Sequence, residues 1–211
     1  LTEVIRRYWQ PLYSFARRRE MSSEDAEDAT QEFLSRIVDG NLLEQADPAQ
    51  GKFRSYLLAA WKRFLIDEFR RRNTIRRGGQ WKHASLDFAS VEQNWQYLQS
   101  REPDPDRVFM LAWANSLLDN ARERISEEYR RSGREVICQA LLDKLSVGLD
   151  AEAYRQLGIQ TGLTPNAVKV ALHRLRGRFA ACLRQVIAET VEDPAEIDTE
   201  LREMLAILSQ K

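Results

Sequence analysis

Between Ala153 and Arg178 the chain reads AYRQLGIQTGLTPNAVKVALHRLRGR, a run that holds several bases and no acid. Asn166, Lys169 and His173 can hydrogen-bond to base edges, and Arg174, Arg176 and Arg178 can pair with phosphates, so this set suits a DNA major groove. The residues around them predict the elements that hold such a set. Gly162 sits where a tight turn needs positive φ. Thr164 is a good N-cap, and Pro165 fits the first helical position. Val168, Ala171, Leu172 and Leu175 recur at helical spacing as one apolar stripe, leaving most of the polar set on the other side. The reading is two helices joined by a turn, the second one basic. A solvated basic helix of an ordinary bundle is the alternative that this window alone leaves open.

Two more constellations precede it. Asp28, Gln31, Glu32 and Ser35 share one face at helical spacing, with Phe33, Leu34 and Ile37 turned elsewhere. That face is either solvated surface or a docking site for a basic partner. The segment GKFRSYLLAAWKRFLIDEFRRR, residues 51–72, interleaves aromatics with bases, as a surface for unstacked nucleotides does. Aromatics at helical spacing are also what a core uses. Phe53, Leu57, Phe64 and Phe69 are expected in the core, and Trp61, flanked by Lys62 and Arg63, is expected as an exposed ring.

These sets need helices to carry them. The spacing predicts a helix from about Thr2 to Arg19 with Pro11 inside it, and a second capped by Ser22 or Ser23 and running to about Val38. Residues 41–50 read as a short helix or turn. Further helices are predicted over 53–61 and 65–72, with Lys62–Phe64 either continuous helix or a break. Pattern fails from Asn73 to Pro105, where Gly, Ser, Asn and Pro mark a linker. Trp81, Phe88, Trp95 and Tyr97 within it are expected to pack on this chain or on a partner. Helical pattern resumes over 106–131 and 134–145, then in the helix pair described above. An acidic tail follows with a last amphipathic helix, placed to cover a basic surface. The fold class expected is all-α: two small helical domains, 1–75 and 106–188, joined by a linker over 76–105, with an acidic extension over 189–211.

Net charge is zero over 211 residues, yet the charges are segregated. Residues 51–82 hold ten bases against two acids, residues 164–184 hold five bases and no acid, and residues 20–32 hold six acids and no base. Local fields therefore matter more than the total. Cys138 and Cys182 read as buried thiols, no apolar run reaches the length of a membrane span, and no signal peptide stands out, so a reducing cytoplasm is expected.

Taken in order, DAEDATQEFLSRIV, then FRSYLLAAWKRFLIDEFRRR, a linker, and a helix pair ending AVKVALHRLRGRF resemble the sigma subunit of bacterial RNA polymerase, sigma-70 superfamily, of the extracytoplasmic-function type. The resemblance implies that Asp28, Gln31, Glu32 and Ser35 dock on the β′ clamp helices. It implies that Trp61, Lys62, Arg63 and Phe64 capture a flipped base of the minus-ten element, with Arg70, Arg71 and Arg72 on the neighbouring backbone. Asn166, Lys169, Val170, His173 and Arg174 would lie nearest the bases of the minus-35 element, with Arg176 and Arg178 on phosphates behind them. Core RNA polymerase (β′ clamp helices and β flap) and promoter DNA are the implied partners, with an anti-sigma factor or other regulator as a further one; no membrane is implied. The linker, with Asp87 and Glu92, would thread through the polymerase. Two departures stand out: Lys62-Arg63 replaces a frequent Arg-Asn, and Gly158 replaces a frequent Ala at the turn.

Catalysis is not expected. No nucleophile and base are paired in sequence, no Gly-rich phosphate loop occurs, and His83 and His173 lie too far apart for a metal motif. No metal or cofactor is anticipated. An ordinary helix-turn-helix regulator acting without polymerase docking is the competing reading; it differs in binding duplex DNA tightly by itself.

Overall fold

The structure, a computed structural model, describes residues 2–39, 52–74, 88, 91–92, 104–191 and 193–209. Every regular element among them is helical: α1 (Thr2–Arg18), α2 (Ser23–Asp39), α3 (Phe53–Thr74), α4 (Pro105–Arg131), α5 (Glu135–Leu142), α6 (Ala151–Thr161), α7 (Pro165–Ala188), a 3-10 turn (Pro194–Glu196) and α8 (Ile197–Ser209). The all-α expectation agrees. None of the described helices is long and apolar enough to cross a membrane. The expected element over 41–50, and Trp81, Asp87, Trp95 and Tyr97, lie outside the described residues.

Local signals explain the boundaries. Pro11 lies inside α1 without ending it. Glu20 ends that helix with φ 64°, and the Met21 N–H reaches back to the Ala16 carbonyl at 3.3 Å. Ser22 is the cap of α2: its Oγ accepts from the Asp25 N–H at 3.1 Å, and Glu24 and Asp25 fill a first turn where the helix dipole favours acids. The α3 helix runs unbroken through Lys62–Phe64. Neither Gly nor Pro interrupts it, and Trp61 and Phe64 both face inward against Phe33, at ring distances of 4.9 and 5.3 Å.

The chain divides into two compact units: residues 1–116 with 203–211, and residues 117–202. The division falls inside α4 rather than at the linker. Val108, Phe109 and Trp113 are buried in the first unit, where the Ser116 hydroxyl donates to the Arg7 carbonyl at 3.2 Å. Further along the same helix, Ala121 accepts a weak bond from the Cys182 thiol in the second unit.

In the first unit, Leu12, Tyr13 and Phe15 of α1 are buried, as are Phe33 and Ile37 of α2 and Leu57 and Trp61 of α3. Phe88, from the segment read as linker, belongs to this core, with its ring 5.2 Å from both Trp9 and Tyr13. Glu92 follows it onto α1, where Arg17 donates to its carboxylate at 3.0 and 2.5 Å and the Tyr13 hydroxyl also donates. Burial would raise the Glu92 carboxyl, but the bonds from Arg17 and Tyr13 outweigh it and hold it below the usual range. Phe69 corrects the expectation for the core: it is 68% exposed.

The second unit is built from the rest of α4, α5, α6 and α7. Cys138 and Cys182 are buried free thiols, and burial pushes both up. The acidic C-terminal segment does form a helix. Its Glu203 carboxylate accepts from Lys52 and Arg54 of the first unit, each at 2.5 Å.

Candidate nucleic-acid interface

The helix pair of the second unit is fixed by its turn. Asp150 caps α6, accepting from the Ala153 N–H at 2.8 Å. Gly162 ends α6 with φ 69°, and the N–H groups of Gly162 and Leu163 both point at the Gly158 carbonyl. Gly158 is needed for another reason: a Cβ there would stand 2.7 Å from the Leu163 carbonyl oxygen, closer than real contacts allow. A turn drawn this tight against α6 must shift to admit the alanine that the resemblance would place there. Thr164 then caps α7, accepting from the Ala167 N–H at 3.2 Å, with Pro165 in the first turn. Val168, Leu172 and Leu175 are buried, which turns Asn166, Lys169, Val170, His173 and Arg174 outward as an exposed group.

The rear of α7 differs from expectation. Arg176 donates to the carbonyls of Leu145, Lys144 and Val147 at 2.9, 3.2 and 2.8 Å. Those carbonyls follow the end of α5, beyond its helical N–H groups; that of Lys144 also accepts from the Val147 N–H at 3.4 Å. Arg178 pairs with Glu128 of α4 at 3.1 and 2.5 Å. Both arginines, expected to grip phosphates, are engaged within the unit and fix α7 to its neighbours.

In the first unit, Asp28 and Ser35 are exposed on α2, and Gln31 and Glu32 are half-buried beside them. Arg36 holds Glu32 at 2.6 Å one turn on. The four residues share one stretch of α2, on which Asp28 and Ser35 are open and the Glu32 side chain is only 11% exposed. Trp61 requires a correction. It is 0% exposed, stacked on Phe64 at 5.4 Å and wedged against Phe33, and its ring cannot receive a base where it lies. Phe64 is buried too, with the Arg36 guanidinium 4.8 Å from its ring centre. Lys62 is half-buried and pairs with Asp106 at 2.5 Å. Arg63 and Arg70 are exposed. Arg71 and Arg72 lie in the last turns of α3, and their side chains lie outside the described residues.

Ile66 (49% exposed) and Phe69 share the outer face of α3 with Lys62, Arg63 and Arg70. The sequence reading placed Phe69 wrongly although a signal was present. Leu57, Trp61, Phe64 and Glu68 are spaced at i, i+4, i+7 and i+11, which is the stripe that is buried. Phe69 lies off that stripe. An open groove of about 1010 Å³ runs beside it, lined by Phe15, Met21, Lys62, Ile66, Phe69 and Arg70 among others. Among the described residues no group of three or more His, Cys, Asp or Glu is placed to hold a metal.

One unit pairs an acidic helix with a long basic one, and another presents an outward basic helix behind a tight turn; the class so defined is an all-α protein of two helical units. Residues 4–75 match the family described as Sigma-70 region 2. The chain is similar to the ECF RNA polymerase sigma factor SigE of Mycolicibacterium smegmatis (strain ATCC 700084 / mc(2)155), at 22% identity over 190 residues that make up 90% of this chain and 64% of that protein. It thus spans somewhat under two thirds of that relative's length. No solved structure matches it significantly. The family match is confined to residues 4–75, and over the rest of the chain the similarity is the one to that sigma factor.

Proposed function

We propose that this protein binds core RNA polymerase and directs it to promoters, without catalysis of its own. The observation that carries the reading is one chain joining a Sigma-70 region 2 over residues 4–75 to a capped basic helix whose front is exposed. Asp28, Gln31, Glu32 and Ser35 are the polymerase-docking face, suited by their acceptors and acids to a basic helix pair such as the β′ clamp helices. Asn166, Lys169, Val170 and His173 read the upstream element, and Arg174 borders them. On α3, Arg63, Phe69 and Arg70 meet the unpaired strand of the downstream element. Trp61 and Phe64 support that face from beneath, and Arg71 and Arg72 follow it in sequence.

The test is transcription with purified core polymerase on genomic fragments. The expected outcome is discrete run-off products that core polymerase alone does not make. Asp28→Ala with Gln31→Ala is expected to weaken co-purification with core polymerase while helicity stays intact. Failure of the wild-type chain both to bind core polymerase and to start transcripts overturns the reading.

A further inference from the structure

Resting on the reading of α7 as the upstream reader, we propose that a cleft formed by the end of α4, the start of α5 and the middle of α7 is a second DNA contact: a seat for one or two backbone phosphates, built on Arg134 and Arg174.

The cleft lies wholly within the second unit and has a volume of about 520 Å³. Arg134, Arg174 and Arg178 line it together with Ser132 and Gly177, and Glu128 is its one carboxylate. That carboxylate already accepts from Nε and Nη2 of Arg178. The surplus charge is therefore the guanidinium pair of Arg134 and Arg174. Both are exposed, and among the described residues neither side chain forms an ion pair. Arg134 is the N-cap residue of α5 and makes no side-chain cap bond, while Glu135 in the first turn offsets the positive end of that helix, so the charge of the cleft rests on the two guanidinium groups. Gly177 leaves room for a ligand, since a Cβ there would meet nothing within 4 Å.

Position along the helix selects the ligand. At 3.6 residues per turn, Asn166, Lys169, Val170, His173 and Gly177 fall on one face, and Arg174 borders it. The cleft thus continues the reading face toward the rear of α7. Arg174 lies about 12 Å behind Asn166 at 1.5 Å per residue. A major groove is about 8.5 Å deep and 12 Å wide. A helix that enters by its front end places residues about 12 Å back at the groove rim, where the phosphates run. Arginine suits that place because its planar fork pairs with phosphate oxygens two at a time. The seat also takes over the task expected of Arg176 and Arg178, which are engaged within the unit.

The test is a salt titration of the polymerase holoenzyme on a promoter fragment carrying the upstream element. It compares wild type, Arg134→Gln, Arg174→Gln, the double variant and Lys169→Ala. Each lost phosphate contact lowers the slope of log K against log salt by about 0.9. The double variant is expected to bind several-fold more weakly at low salt, with a slope shallower by about 1 to 2. That loss is expected to be the same for any upstream base sequence, while Lys169→Ala changes sequence preference. Thermal midpoints near wild type exclude misfolding as the cause. If Lys169→Ala acts and the arginine variants leave affinity and slope unchanged, the phosphate seat is wrong and the reading helix stands. If Lys169→Ala also has no effect, the reading of α7 itself fails. Replacing chloride by inorganic phosphate at constant ionic strength distinguishes the source of the anion. Unaltered binding supports a DNA phosphate, whereas displacement at millimolar phosphate identifies a small-anion site and overturns the proposal.

Discussion

Trp61 and Phe69 stand eight positions apart on α3, and burial gives them opposite tasks. Trp61 has no exposed surface, packs between Phe33 and Phe64, and its indole N–H has no hydrogen-bond partner among the described residues. Its truncation to alanine opens a cavity at the junction of α2 and α3, and the expected loss is about 3–5 kcal/mol in a denaturant titration. Trp61→Phe fills most of that space and removes the orphan N–H, so it is expected to cost far less. Phe69→Ala removes an exposed ring and is expected to change stability by less than about 0.5 kcal/mol. Its effect belongs in promoter opening, read by reactivity of unpaired thymines, because stacking on one ring contributes about 1–3 kcal/mol per base. A Phe69→Ala protein that opens promoters at the wild-type rate removes that ring from the interface. Both rings carry the same residue-type signal, aromatic among bases. Only the period of the neighbouring positions separates them, and weight given to the charges flanking Trp61 led to the opposite assignment.

At the scale of elements, the helices and their caps were readable because each depends on a few adjacent residues. Ser22, Thr164 and Gly162 act where their chemistry places them. The roles of Arg176 and Arg178 were not readable. Their partners, the carbonyls of 144–147 and Glu128, lie 29 to 50 residues away, and only tertiary structure brings them together. Gly158 lies between these cases: its departure from a frequent alanine was visible, and its reason was not until the Leu163 carbonyl was in place. Gly158→Ala forces the α6–α7 turn to open by several tenths of an ångström against backbone rather than against a yielding side chain. The helix-propensity gain of alanine, up to about 1 kcal/mol, opposes this strain, which for overpacking is typically about 1–3 kcal/mol. A net loss of about 1 kcal/mol in the second unit is expected, together with weaker use of the upstream element as α7 shifts. A variant as stable as wild type with normal upstream reading shows that the turn has slack.

For the whole molecule, chain order and spatial grouping diverge most at the C-terminus. Residues 203–211 group with the first unit, where Glu203 meets Lys52 and Arg54, the latter 149 positions away. Segregation of charge hinted that an acidic end would meet a basic surface, but which bases it meets is set by packing. Arg54 is buried, with its guanidinium 4.4 Å from the ring centre of Trp113, so a carboxylate beside it relieves the burial of a charge. The hydrogen bond from Lys52 draws the Glu203 carboxyl below its ordinary range; burial opposes this, and the charges of Lys52 and Arg54 add to the lowering. A carboxyl depressed in the folded state contributes stability above its unfolded value and loses it as pH falls through the folded one. Glu203→Gln is therefore expected to destabilise the first unit at neutral pH. The size expected is about 1 kcal/mol, less than the 1.5–3 kcal/mol of a buried charged hydrogen bond because Glu203 is partly exposed. As pH drops below the usual carboxylate range, wild type loses the same interaction and the two denaturation midpoints converge. A gap that stays constant with pH would assign the effect to packing of the middle of α8, where Met204 is fully buried, rather than to the charge of Glu203.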